Sequence, residues 1–224
     1  MKNQHGNLSD YLCEKHIYNR FKYILEELSN VSGTVLTIGS GDGSFEKLLK
    51  KTNPTLSIIS IDFNEEFREK LSDVSDTIII DDFLTHNFNH TFDYLVSIDV
   101  IEHIIETDDF LIKARKILSD DGYFYLITPN LASYHGRLSL LLGYTPAAMD
   151  LSTNEGFFGK FWFLRYKDAV HHIRVFTYRA IREMCTYYGF EVKTAVGIDS
   201  RLPSIFKHFP GIAGSVCLKM TKSK

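Results

Sequence analysis

Cysteine is scarce and scattered in this chain. Only Cys13, Cys185 and Cys217 occur, far apart and with no Cys-x-x-Cys pair. That excludes a disulfide framework or a cysteine-built zinc site as the organising feature, and leaves core thiols in a reducing compartment as the expectation. Long apolar runs are missing too: none approaches the roughly 20 residues of a membrane span. The first residues, Met-Lys-Asn-Gln-His-Gly, are polar and lack a secretory pattern, so a cytoplasmic protein is expected. There is no basic excess, since the net charge is -3 and the pI about 6.3. Nucleic-acid binders usually show one, so neither DNA nor RNA is an expected partner. Internal repeats, low-complexity tracts and interdomain linkers are also absent. A chain of 224 residues suits one domain over 1–224 with a sizeable core.

What is present is alternation. Residues 9–30 carry Leu12, Ile17, Phe21, Ile24, Leu25 and Leu28 near helical spacing. Strands are then expected at Val35–Ile38, Leu56–Ile61, Thr77–Ile80, Phe92–Ile98 and Tyr123–Thr128. Helices are expected between them at Phe45–Lys51, Glu65–Ser72 and Asp108–Leu118, the last closed by Asp121-Gly122. Such alternation predicts βαβ units and a mainly parallel sheet, an α/β fold. From Leu131 to about Arg174 the pattern breaks. A short leucine-rich helix around 138–142 is followed by Phe157, Phe158, Phe161, Trp162, Phe163 and Tyr166. Thr177 then caps a helix through Tyr188 that Gly189 ends, and Phe190–Val196 with Ser215–Lys219 form an antiparallel terminal pair.

Ligands in such folds bind beyond the carboxyl ends of the strands. The first strand runs into Gly39-Ser40-Gly41-Asp42-Gly43, with a helix directly after. Glycine serves where the backbone turns sharply or approaches a ligand closely. The spacing is neither that of a dinucleotide fingerprint nor that of a phosphate loop. Asp42 inside the turn would repel a pyrophosphate. A ligand with a carboxylate and no phosphates fits better, and S-adenosylmethionine (SAM) is such a ligand. Asp62, about 20 residues on at the end of the next strand, can accept bonds from ribose hydroxyls. Asp82, or Asp81 in its place, ends the third strand, where a carboxylate can meet an adenine amino group with Phe83 against the ring.

With these residues the chain resembles the class I SAM-dependent methyltransferases over nearly its whole length. The resemblance rests on Val35–Gly43, on Phe92-Asp93-Tyr94-Leu95-Val96-Ser97-Ile98-Asp99-Val100-Ile101-Glu102-His103-Ile104, and on Gly122–Asn130. The segment His172–Thr177 with Gly189–Val192 is similar to the type 11/12/23 methyltransferase group. The resemblance implies a Rossmann-like seven-stranded sheet with an antiparallel terminal strand. It implies SAM as cofactor, held by Thr37, Gly39, Gly41, Gly43, Asp62, Asp82, Phe83 and Asp99. The family usually has an acid where this chain has Thr37; that acid helps hold the SAM amino group, so backbone carbonyls or Asp99 must compensate.

Methyl transfer from a sulfonium is an in-line displacement, so positioning does much of the work. A hydroxyl acceptor also needs a base. The candidates are His135, His171 and His172, with Tyr134 and Arg137 as substrate contacts. They lie in the 131–174 insertion, expected to be a helical and aromatic lid over the sheet edge. The expected acceptor is a small or carrier-linked molecule. Lys160, Arg165 and Lys167 beside the aromatics offer a weaker reading, contact with a membrane surface. Asp99, Glu102 and His103 are similar to the metal-binding stretch of metal-dependent RNA 2′-O-methyltransferases, with His171 or His172 completing the set. Asp99 is shorter than the glutamate found there, so no metal is expected and activity should survive chelation. The run from Pro129 to Pro146 is similar to the MetW-like proteins, which gives a further alternative: a partner protein without catalysis.

Overall fold

The computed structural model describes residues 19–164, 171–199 and 203–224. Residues 19–27 form a helix, α1. Strands follow at β1 (Thr34–Ile38), β2 (Ser57–Asp62), β3 (Thr77–Ile80), β4 (Phe92–Ile98), β5 (Leu118–Pro129), β6 (Phe190–Ile198) and β7 (Ser215–Lys222). The further helices are α2 (Ser44–Thr52), α3 (Arg68–Ser72), α4 (Thr107–Ile117), α5 (Tyr134–Leu141), α6 (Tyr178–Tyr187) and α7 (Pro203–Phe206).

The strands make one seven-stranded sheet in the order β3-β2-β1-β4-β5-β7-β6. β1 to β5 pair in parallel, and β7 runs antiparallel to both β5 and β6. The centre of the sheet is apolar on both faces, as a strand covered by helices on either side must be. Leu36, Leu95, Phe124 and Leu126 join Phe110 and Leu111 of α4 and Ile181 and Cys185 of α6 on one face. Val35, Val96, Tyr125 and Ile127 join Ile24 and Leu25 of α1, Leu28 just after it and Leu49 of α2 on the other. Two of the cysteines are therefore core thiols, as expected: Cys185 and Cys217 are buried and free, and burial pushes the Cys185 thiol up to about 12. Cys13 lies outside the described residues.

The boundary between α4 and β5 departs from the sequence expectation. The helix predicted to reach Leu118 stops at Ile117, and residues 118–122 already belong to β5. Leu118 is fully buried and pairs with Phe92 across a bulge. Gly122 permits this close approach, because a Cβ there would lie 2.9 Å from the Asp93 carbonyl oxygen and 2.6 Å from Ser119 Oγ. α6 and its ends follow the sequence: the Thr177 side chain accepts from Ala180 N–H, and Gly189 has φ 82°. No helix among the described residues is long and apolar enough to cross a membrane.

Candidate functional site

β1 ends in the glycine turn. Gly39, Gly41 and Gly43 have φ of 69°, 56° and 76°, a region that side-chain-bearing residues avoid. A Cβ on Gly39 would strike Val100 at 2.4 Å, whereas a Cβ on Gly41 would meet nothing within 4 Å among the described residues. The turn thus packs against β4 at one glycine and opens outward at the next. Asp62, buried at the end of β2, ties the turn down: Gly41 N–H donates to its Oδ2 (2.8 Å) and Asn64 N–H to its Oδ1 (3.0 Å). Each carboxylate oxygen keeps a lone pair for a further donor.

A cavity of about 90 Å³ lies beside the turn, lined by Thr37, Gly39, Ser40, Asp42 and Glu46 with Phe21 of α1. The Thr37 hydroxyl shares hydrogen bonds with Ser40 Oγ (2.8 Å) and Ser60 Oγ (3.0 Å). Glu46 is only 1% exposed, and among the described residues its Oε2 has no hydrogen-bond partner. Burial raises its pKa above the usual carboxylate value, against the opposing pull of the Thr37 and Ser40 hydroxyls.

At the neighbouring strand ends, Asp82 is exposed and accepts from Leu84 N–H (2.7 Å), while Asp81 pairs with His86 (2.9 Å). Phe83 does not offer a free ring face, contrary to the sequence expectation. It is buried, 5.1 Å from Phe110 and 6.0 Å from Phe88 between ring centroids. The apolar core recruits it, because the chain turns inward after Asp82. The ring left in solvent is Phe63, directly after Asp62 and 82% exposed.

The end of β4 gathers most of the ionisable chemistry. Asp99 adopts φ 51°, uncommon outside glycine. Its carboxylate pairs with Arg20 of α1, although Oδ1 is buried without a hydrogen bond. Glu102 is buried; Thr128 Oγ1 donates to its Oε2 (3.0 Å), and among the described residues its Oε1 has no hydrogen-bond partner. Burial raises its pKa to about 7, opposed by the backbone, by Thr128 and by the charge of Arg20. His172 Nε2 stands 4.0 Å from Glu102 Oε1. His172 Nδ1 lies 2.8 Å from the Ala148 carbonyl oxygen. A carbonyl only accepts, so Nδ1 carries a proton and Nε2 of the neutral ring presents its lone pair. His103 is held the same way, Nδ1 against the His171 carbonyl oxygen at 3.1 Å, and burial lowers its pKa. Glu102, His103 and His172 each offer one donor atom, all within 4.8 Å of one another.

The other two histidines are placed differently. His171, at φ 58°, is exposed and contributes through its backbone: its N–H donates to Asp150 Oδ2 (3.1 Å) and its carbonyl accepts from His103. The described side-chain contacts of His135 are with Ser133 and Tyr134, not with the Glu102 group. Tyr134 stacks on Phe206, and Arg137 donates to the carbonyls of Ala132 and Gly211. Lys160 is no membrane contact. It is 1% exposed, and its Nζ meets Asp150 Oδ1 at 2.8 Å, because a long cationic side chain drawn into the interior needs a carboxylate. Arg165, Tyr166 and Lys167 lie outside the described residues. Trp162, 80% exposed, and Phe163 face outward. The insertion ends on the sheet edge, where Ile173 and Arg174 N–H groups both donate to the Glu102 carbonyl oxygen (2.8 and 2.9 Å).

Sequence reasoning missed Glu46, Phe63 and Arg20. Glu46 left a trace, a carboxylate between Phe45 and Leu49 on the apolar side of α2. The positions of Phe63 and Arg20 depend on pieces that meet only in the fold.

A family model described as a methyltransferase domain matches residues 11–195. No match was found among curated protein sequences. Among solved structures, a SAM-dependent methyltransferase from Clostridium acetobutylicum superposes with a TM-score of 0.64 at 14% identity, covering 94% of this chain and 92% of that one. The CcbJ methyltransferase from Streptomyces caelestis gives 0.63 at 13% identity, covering 92% and 90%. The mitomycin 7-O-methyltransferase MmcR gives 0.61 at 14% identity; 96% of this chain is covered but only 55% of that longer one.

Proposed function

The chain belongs to the methyltransferase-domain family, and we propose that it is a SAM-dependent enzyme that methylates oxygen on a small or carrier-linked acceptor with His172 as base. The cofactor assignment agrees with the residues present. Gly41 leaves open space at the turn, Asp62 retains lone pairs for ribose hydroxyls, and Phe63 offers a ring to the adenine side. When bound, SAM supplies an electrophilic methyl group; everything else falls to the chain.

The carrying observation is the gap between Glu102 Oε1 and His172 Nε2. At 4.0 Å it is too long for a direct hydrogen bond. One hydroxyl oxygen about 2.8 Å from each would bridge it. His172 would then take the proton at Nε2, while the Ala148 carbonyl holds Nδ1–H and fixes the ring. Glu102 would accept from or donate to the same oxygen, according to its own protonation. The insertion that carries His172 meets the chain just after β4 at the Glu102 carbonyl, and as a lid it would keep water from the transferring methyl.

A metal ion is the competing occupant. Tetrahedral zinc with bonds of about 2.1 Å needs donors roughly 3.4 Å apart, closer than the Glu102–His172 spacing. His172→Asn should lower turnover by roughly 10²- to 10⁴-fold with SAM affinity unchanged. The assay is S-adenosylhomocysteine formation over a panel of phenols and aliphatic alcohols with matched amines. Loss of turnover in EDTA, restored by magnesium or manganese, would replace the base with a metal. Turnover confined to the amines would sink the oxygen assignment.

A further inference from the structure

We propose that Glu46 is the anionic seat for the α-ammonium of the cofactor, supplying from α2 the charge that Thr37 cannot supply from β1. This rests on SAM being the ligand of the glycine turn. An ammonium group buried beside the turn needs a carboxylate, and four stand near. Asp42 caps the start of α2 by accepting from Ser44 N–H (3.1 Å). Asp62 is bonded to Gly41 and Asn64. Asp99 is matched by Arg20. Glu46 is the least accessible of the four at 1% exposed, and among the described residues no cation faces it and Oε2 is unpartnered in the wall of the cavity, whereas both oxygens of Asp62 already accept backbone bonds.

The rest of the lining points the same way. Among the described residues no lysine or arginine lines this cavity; its polar side chains there are Thr37, Ser40, Asp42, Ser44 and Glu46. A buried carboxylate without a counter-charge is costly, so the cavity favours a cation brought in by the ligand. A primary ammonium has three N–H donors. Thr37 Oγ1, Ser40 Oγ and the Glu46 carboxylate supply three acceptors on one wall, and the two hydroxyls already hold each other at 2.8 Å. The charge is carried by the helix and the shape by the hydroxyls, whereas an acid at position 37 would combine both.

The test is calorimetry on the whole protein with S-adenosylhomocysteine and with 5′-methylthioadenosine, which shares the nucleoside and thioether but lacks the amino acid. Glu46→Gln should weaken S-adenosylhomocysteine by roughly 10- to 100-fold and leave 5′-methylthioadenosine unchanged. Equal losses for both ligands would mean that Glu46 only shapes the turn, and the proposal fails. Unchanged affinity for S-adenosylhomocysteine overturns it as well. If Glu46→Gln does not fold, Thr37→Val with Ser40→Ala removes the other two acceptors and should show the same selective loss; an unselective loss there counts against the seat. Wild-type protein that binds neither ligand would overturn the SAM reading itself, a separate result.

Discussion

At the scale of single residues, Glu102 carries the clearest signature. Its pKa is raised by burial to about 7, from 4.5. Between those values the folded chain keeps a proton that the unfolded chain releases. Stability from this group therefore falls as pH rises from about 4.5 through 7, and is level above. Glu102→Gln removes that dependence while keeping an acceptor for Thr128. We expect the variant to melt above wild type at pH 8, by roughly 1–3 kcal/mol of stability, with the gap closing near pH 4.5. Comparing variant with wild type in scanning fluorimetry cancels other groups, Glu46 among them, that shift in the same direction. A gap that stays constant with pH would show that the interior carboxyl is ionised throughout.

At the scale of elements, the insertion between β5 and α6 is fastened by a buried ion pair. Lys160 and Asp150 meet at 2.8 Å, and the second oxygen of Asp150 holds the His171 N–H. The His171 carbonyl in turn holds His103, and Ala148 orients His172. The pair thus links the leading part of the insertion to the histidines at its end. Lys160→Met breaks this buried ion pair and should cost about 3–5 kcal/mol. Adding Asp150→Leu should recover most of that loss, since well-packed apolar replacements of buried pairs are often tolerated. Turnover of the double variant should remain low while S-adenosylhomocysteine affinity stays at the wild-type level. Full turnover in a stable double variant would reduce the pair to packing.

At the scale of the molecule, the strand ends, α1 and α2 converge on one edge of the sheet, so the cofactor would join elements distant in sequence. Phe21 of α1, the turn after β1 and Val96 and Ile98 of β4 all line one cavity. Ligand bound only by the folded state should stabilise it by about 2.7 kcal/mol at 100 times its Kd. For a chain of this size that is roughly 5–11 °C of melting temperature. The same concentration of adenosine alone should give less, and a melting curve indifferent to SAM would contradict a preformed site.

The sequence by itself determined the sheet and the turn. Apolar runs such as Val35–Ile38 leave a buried parallel strand little alternative, and glycines at 39, 41 and 43 permit backbone that other residues resist. Thr177 and Gly189 marked both ends of α6 because caps act over a few adjacent residues. Tertiary structure decided the rest. It ended α4 at Ile117, because pairing with Phe92 outweighed the local helical pattern at Leu118. It drew Phe83 into the core and left Phe63 outside, a choice made by neighbours from α4. It separated His172, beside Glu102, from His135 and His171, although all three looked equivalent along the chain. It turned Lys160 inward to Asp150 and Glu46 back toward Thr37. Local pattern reports which backbone a segment can adopt. Which charge is buried, and against what, depends on contacts between distant segments, and those exist only once the sheet has formed.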